Sequence, residues 1–222
     1  MRTLAIGDIH GCSSALDQLL RLAKVSKSDT IITLGDYVDR GPDSKGVLDR
    51  LIWLQGQCTL IPLMGNHEIM MLQSRTDPLW HKDWLTHGGK HTLRSYAPEK
   101  KYLSFEAVPP EHWRFLEQCR EFHETDTHIF VHAGLAPEVP LREQQPLQLF
   151  WEFLTPEAKP HMSGKRIICG HTSQQSGRPL DLGHTLCIDT HAYASGFLSC
   201  LDVERGMVWQ ASQSGMKRQF LL

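Results

Sequence analysis

The sequence predicts an α/β chain in which a parallel sheet with covering helices gives way to short antiparallel strands. Three features predict it. Residues 1–72 alternate apolar runs with helical periodicity in the order β-α-β-α-β. The stretch after residue 184 holds short apolar runs separated by turn signals. Five apolar runs stop abruptly at Asp, Asn or His with glycine close by, and in open α/β sheets ligands gather beyond the carboxyl ends of strands.

The elements follow in order. MRTLAI (1–6) is a short strand that ends at Gly7-Asp8. From Ser13 to Val25 the pattern turns helical, with Leu16, Leu19, Leu20 and Ala23 on one face and Ser13 or Ser14 placed to cap the start. TIITL (30–34) is the second strand. Asp43 or Ser44 caps a second helix whose apolar face is Val47, Leu48, Leu51 and Ile52. CTLIPL (58–63) is the third strand, and a short helix begins near Asn66. Residues 74–125 are rich in Trp, His, Pro and charge and only weakly periodic, which reads as a mostly helical insertion or cap segment. IFV (129–131) and RIIC (166–169) resume the strands. TLCID (185–189), FLSCLDV (197–203) and MVWQ (207–210) read as antiparallel. Residues 1–222 are read as one domain.

Composition narrows the function classes. The formal net charge of −2 offers no field for capturing nucleic acid or acidic lipid. No apolar run approaches the roughly 18 residues of a membrane span, and MRTLAIGD turns polar too soon for a signal peptide. The six cysteines are scattered, without a CxxC pair, as suits reduced core thiols in a cytoplasmic protein.

The strand ends carry the chemistry. They read GDIHG (7–11), GDYVDRG (35–41), GNHE (65–68), HAG (132–134) and GHT (170–172). Together they deliver Asp, Asn and His, a metal-site composition. Asp8 and His10 are two apart and point to one side of an extended segment. Glycines beside them let the backbone turn sharply and the side chains converge. Two ions about 3.5–4 Å apart need a bridging carboxylate, and Asp36 is the natural candidate. Singly, each motif is more ordinary: a turn, a helix cap, a satisfied core histidine or a surface ion pair. Five in the same position class are not explained that way.

The order of these motifs resembles the phosphoprotein phosphatase branch of the calcineurin-like metallophosphoesterases, with GDYVDRG and GNHE its most specific elements. The resemblance spans roughly residues 5–72 and 129–210. It implies a central β-sandwich of mixed sheets flanked by helices, with two divalent ions at one end, Mn²⁺ first and Fe or Zn²⁺ as alternatives. It further implies that Asp8 and His10 hold the first ion, that Asp36 bridges, and that Asn66, His132 and His171 hold the second. A hydroxide between the ions would attack phosphorus directly. His67 would be the general acid, Asp39 its orienting partner, and Arg40 the clamp on phosphate oxygens, so that Arg40 and His67 also bind substrate.

Where relatives carry a second phosphate-binding arginine, this chain reads LFWEF (149–153), and neither Arg142, Arg166 nor Arg178 can be assigned to that role from sequence. The expected substrate is a phosphorylated protein, at phosphoserine or phosphothreonine, or a small phosphoester. The alternatives are symmetric hydrolysis of diadenosine tetraphosphate, with Trp80, Trp84 and Tyr96 as candidate base-stacking groups, and a scaffold of the same fold without turnover. WLTHGGKHTLRSY (84–96) reads as a packing element or a substrate-facing one. His81, His87 and His91 read as exposed polar positions, and His191 stands where relatives often carry glycine.

Overall fold

A computed structural model describes residues 1–100 and 102–222. The elements in chain order are β1 (Thr3–Ile6), α1 (Ser13–Leu22), β2 (Thr30–Thr33), α2 (Ser44–Gln55), β3 (Thr59–Pro62), α3 (Asn66–Gln73), α4 (Pro78–Trp84), α5 (Lys90–Tyr96), α6 (Pro110–Glu117), β4 (Phe122–Glu124), β5 (His128–Val131), α7 (Pro146–Phe150), β6 (Arg166–Cys169), β7 (Leu180–Asp181), β8 (Thr185–Cys187), β9 (Leu198–Asp202), β10 (Met207–Ala211) and β11 (Lys217–Leu221). They form a six-stranded sheet, β11-β10-β9-β1-β2-β3, and a five-stranded sheet, β4-β5-β6-β8-β7. Both are mixed: β1, β2 and β3 run parallel, as do β5, β6 and β8, with antiparallel strands beyond them.

The alternation of side chains along each strand builds the layers. In the first sheet Val208, Leu201, Ala5, Ile32 and Ile61 form one row of cross-strand neighbours. In the second, Phe130, Ile168 and Leu186 form another. The two rows belong to one buried cluster, so the sheets pack face to face through them. The intervening residues turn outward. Leu4, Ile6 and Ile31 pack on the helices of one side, and Val131, Ile167 and Cys169 pack on Leu149 and Phe150 of α7 on the other.

Local sequence explains the first helices. Ala15, Leu16 and Leu19 bury one face of α1. Cys12 occupies its N-cap without a side-chain hydrogen bond, so neither Ser13 nor Ser14 caps it. In α2 the Asp43 carboxylate accepts from the Gly46 amide at 2.9 Å, a true N-cap. Val47, Leu48 and Leu51 are buried, and Ile52 is half-buried.

One strand differs from expectation. TLCID contributes β8, which is antiparallel to β7 but parallel to β6. Its direction is set by the crossover through residues 170–184, which the local apolar pattern does not encode. The short edge strands β4, β7 and β11 carry no clear period-two signal and were not expected from sequence.

Candidate dinuclear metal centre

Each turn bearing candidate ligands leaves the carboxyl end of one of the parallel strands β1, β2, β3, β5 and β6, and the turns are hydrogen-bonded to one another. The amides of Ile9 and His10 both donate to the Asp36 carbonyl, at 3.0 and 2.7 Å. The His132 imidazole donates through Nδ1 to the Leu34 carbonyl at 2.7 Å, joining the two sheets. Glu68, fully buried in the first turn of α3, accepts from the amides of Asp36, Tyr37 and Gly65 at 2.7, 2.8 and 3.0 Å. Burial and the neighbouring Asp36 charge push the Glu68 carboxyl up to about 8, while its backbone donors pull it down.

The backbone is strained where the ligands converge. Seven non-glycine residues among those described have positive φ, and six are at this site: His10, Asp36, Asp39, Arg40, His171 and His191. Gly170 marks a close approach, because a β-carbon there would collide with the Asp8 carboxylate.

Asp36 is the common member of two potential ligand triads. One is His10, Asp36 and His67, and the other is Asp36, His132 and His171, each with its donor atoms within 4.8 Å of one another. His10 Nε2 stands 3.4 Å from Asp36 Oδ2, and His132 Nε2 stands 3.4 Å from Asp36 Oδ1, so the two carboxylate oxygens face opposite clusters. Asn66 Oδ1 joins the second cluster, 2.9 Å from His132 Nε2. Asp8 lies outside both triads. Its carboxylate accepts from the His171 amide at 3.0 and 3.2 Å. The other sequence-derived candidates lie at these clusters or against them.

The donor set fits divalent cations. His10 gives its Nδ1 proton to the Val38 carbonyl, and His132 gives its own to Leu34, which leaves both Nε2 lone pairs facing Asp36. His132 Nε2 then faces Asn66 Oδ1, two acceptors for which a cation is the natural shared partner. Burial lowers His10, His132 and His171, the last to about 4, and neutral imidazoles are what a metal takes. Burial alone would raise Asp36, but the surrounding histidines His132, His67, His10 and His171 outweigh it and hold the carboxyl well below its usual range. Burial, then Asp189 and Asp36, push Asp8 well above that range. Asp189 keeps one buried oxygen without a hydrogen-bond partner. Buried carboxylates that repel one another call for positive charge between them.

His67, of the first triad, is also half of a buried histidine–carboxylate pair. His67 Nδ1 meets Asp39 Oδ2 at 2.7 Å, with both side chains buried. Burial opposes protonation of His67, but Asp36 and the Asp39 hydrogen bond prevail and raise it. Arg40 donates to His10 Nε2 at 3.0 Å, and its guanidinium lies 4.8 Å from the centre of the Tyr193 ring.

The profile of the calcineurin-like phosphoesterase family matches residues 1–184. The chain belongs to the calcineurin-like phosphoesterases. It is 29 % identical to serine/threonine-protein phosphatase 1 of Salmonella typhimurium, over 90 % of each chain. It is 31 % identical to a symmetrical bis(5'-nucleosyl)-tetraphosphatase of Nitrosomonas europaea, over 65 % of this chain and 49 % of that one. A solved structure provisionally assigned as a diadenosine tetraphosphatase superposes with a TM-score of 0.67 at 22 % identity, covering 99 % of this chain and 92 % of the other. The sandwich of mixed sheets flanked by helices is the fold of this dinuclear-metal-dependent family. No helix among the described residues is long and apolar enough to cross a membrane.

The phosphoesterase opens its site into a cleft of about 450 Å³. Arg40, Asn66, His67, His171, Phe153 and Tyr193 are among its walls, and Arg40 is the one arginine lining it among the described residues. Phe153 stacks on the His171 ring at 4.9 Å and 19°, in the stretch where sequence directed the search for a second arginine. Arg166 instead pairs with Asp181, and Arg178 lies over Phe220. Of the aromatic candidates for base stacking, Trp84 is buried and Tyr96 bonds to His112, so neither faces the cleft. Trp80 is tilted against Trp151. His87 and His91 are exposed as expected, whereas His81 packs against Trp84 and Phe105. His191 bonds to Ser173. Glu68, Asp189, Tyr193 and Thr92 are site residues to which sequence reasoning gave no role, although Glu68 lies in GNHE and Thr92 in WLTHGGKHTLRSY. Trp84, a base-stacking candidate from sequence, bonds to Asp39 instead.

Proposed function

We propose that this phosphoesterase is a phosphatase dependent on two metal ions that hydrolyses phosphomonoesters, chiefly phosphoserine and phosphothreonine in proteins. The observation that carries the reading is Asp36, whose two oxygens face separate clusters of metal-type donors, with His67 in the first cluster and Arg40 bonded to His10. Asp8 and His10 would hold the first ion, Asn66, His132 and His171 the second, with Asp36 shared. Mn²⁺ suits the mixed imidazole, carboxylate and amide set, with Fe or Zn²⁺ as alternatives. When bound, the two ions supply Lewis acidity and a water of lowered pKa.

The chain's own groups do the rest. Arg40 holds phosphate oxygens with its planar fork. His67 gives its Nε2 proton to the leaving oxygen while Asp39 holds the Nδ1 proton. The match along nine tenths of the Salmonella phosphatase supports a protein substrate, since the tetraphosphatase match spans about half of that relative. One observation favours the second reading, symmetrical cleavage of a dinucleoside tetraphosphate. A single arginine in the cleft holds a phosphomonoester dianion less firmly than two would. We further read residues 1–222 as one domain with 74–125 as an insertion, and the six free thiols as those of a cytoplasmic protein.

The test is a paired assay on metal-stripped protein reloaded with Mn²⁺. Faster phosphate release from a phosphoserine or phosphothreonine peptide than cleavage of diadenosine tetraphosphate is the expected result. The reverse preference moves the function to the dinucleotide, and inactivity on both overturns the reading.

A further inference from the structure

The proton-donor pair is held by a distant part of the chain. Asp39 is fully buried, and each of its oxygens takes a hydrogen bond from the α4–α5 region. Trp84 Nε1 donates to Oδ2 at 2.8 Å, beside His67 Nδ1. Thr92 Oγ1 donates to Oδ1 at 2.6 Å and accepts from the Asp39 amide at 2.8 Å. These partners lie 45 and 53 residues from Asp39 along the chain.

The turn between them is shaped for this contact. Leu85–Gly89 is a kinked link between α4 and α5, broken at Gly88, whose φ of +117° is not helical. A β-carbon on Gly88 would come within 2.6 Å of the Arg40 amide, so the turn packs backbone to backbone on Asp39-Arg40. Gly89 leaves room for the Trp84 ring, which stacks on Phe105 at 5.4 Å. Packing alone would account for the ring. It would not account for both donors aiming at one carboxylate.

We infer that Trp84 and Thr92 are positioning residues for proton donation, fixing Asp39 so that Asp39 fixes His67. The inference rests on the phosphatase reading above. A carboxylate with two oxygens and a free χ2 torsion meets one imidazole in many orientations. Donors on both oxygens leave one. They also satisfy a buried charge that would otherwise be costly. His67 Nδ1 is thereby kept as the proton-bearing nitrogen toward Asp39, and Nε2 is directed to the cleft.

Leaving-group dependence tests this. A serine alkoxide needs a proton as it departs, whereas p-nitrophenolate is stable without one. Thr92→Val is near-isosteric and removes the hydroxyl, and Thr92→Ser restores it. Trp84→Phe removes the indole N–H. In the Mn²⁺-loaded protein, Thr92→Val and Trp84→Phe should each lower kcat on a phosphoserine peptide about tenfold, the size of one lost hydrogen bond to a charged group. KM and bound metal should not change. Turnover of p-nitrophenyl phosphate should stay within about twofold, and Thr92→Ser should recover the loss. In a His67→Asn background, Thr92→Val should add nothing.

Equal slowing on both esters, or an additive effect on top of His67→Asn, overturns the inference. A second readout needs no turnover. The downfield proton of the His67–Asp39 hydrogen bond, followed by NMR in metal-free protein, should shift or broaden in Thr92→Val and return in Thr92→Ser. If the wild type turns over neither ester, the phosphatase reading fails. The proton resonance then decides the positioning claim by itself, and an unchanged resonance in Thr92→Val overturns it.

Discussion

His67 and Asp36 stand close together, and the proposed function gives them different work. Asp36 would be shared between the ligand clusters, whereas His67, bonded to Asp39, would give a proton. His67→Asn should therefore retain the metals and slow phosphoserine-peptide hydrolysis by about 10²–10⁴-fold, the size of a general-acid contribution. Metal analysis beside steady-state kinetics checks this, and loss of metal in that variant would assign His67 to coordination instead. The candidate ligands were legible because each is local, a chemical group at the end of an apolar run, all but His132 directly beside a glycine. Trp84 and Thr92 were not, since a hydrogen bond across 45 or 53 residues leaves no spacing to read. Phe153 shows the opposite case, where sequence pointed to a stretch and only the fold shows its ring lying on His171.

Elements place these residues, and two devices set element boundaries, one beside the site and one at the amino ends of β1 and β2. Asp43 caps α2 directly after GDYVDRG. Asp43→Ala should cost about 1 kcal/mol of stability, measured by urea denaturation, with metal content unchanged. At the start of β1, Arg2 grips Asp29 through Nε and Nη2, at 3.0 and 2.6 Å. The Arg2 hydrogen bond is the main cause of a carboxyl held down at about 2, against about 3.9 in an unfolded chain. A depressed carboxyl stabilises the fold fully above the unfolded value and ceases to do so as pH falls through the folded one. Between about pH 5 and pH 3 the wild type should thus lose stability more steeply than Arg2→Ala. Parallel curves would mean that the pair contributes nothing. The strands of the α/β half were readable from their apolar runs. The parallel direction of β8 was not, because a strand's partner depends on the path of the chain before it rather than on its own residues.

At the scale of the whole molecule, two sheets pack through in-register rows, Ala5-Ile32-Ile61 against Phe130-Ile168-Leu186. That packing brings the carboxyl ends of β1, β2 and β3 to those of β5 and β6. The ligand clusters draw on both sheets. Asp36 comes from one, and His132 and His171 from the other. The sandwich is thus the device that converts five separate turns into one centre. Repelling carboxylates and neutral imidazoles collected there leave a deficit of positive charge that bound cations would meet. The most direct test is elemental analysis of the protein after loading with Mn²⁺ and exhaustive dialysis, with Asp36→Asn run alongside. A dinuclear centre requires two ions per chain in the wild type, from the two ligand clusters, and marked loss in the variant, whose weakened shared ligand serves both clusters. Retention of a full complement by Asp36→Asn, or no retained metal in the wild type, would contradict it.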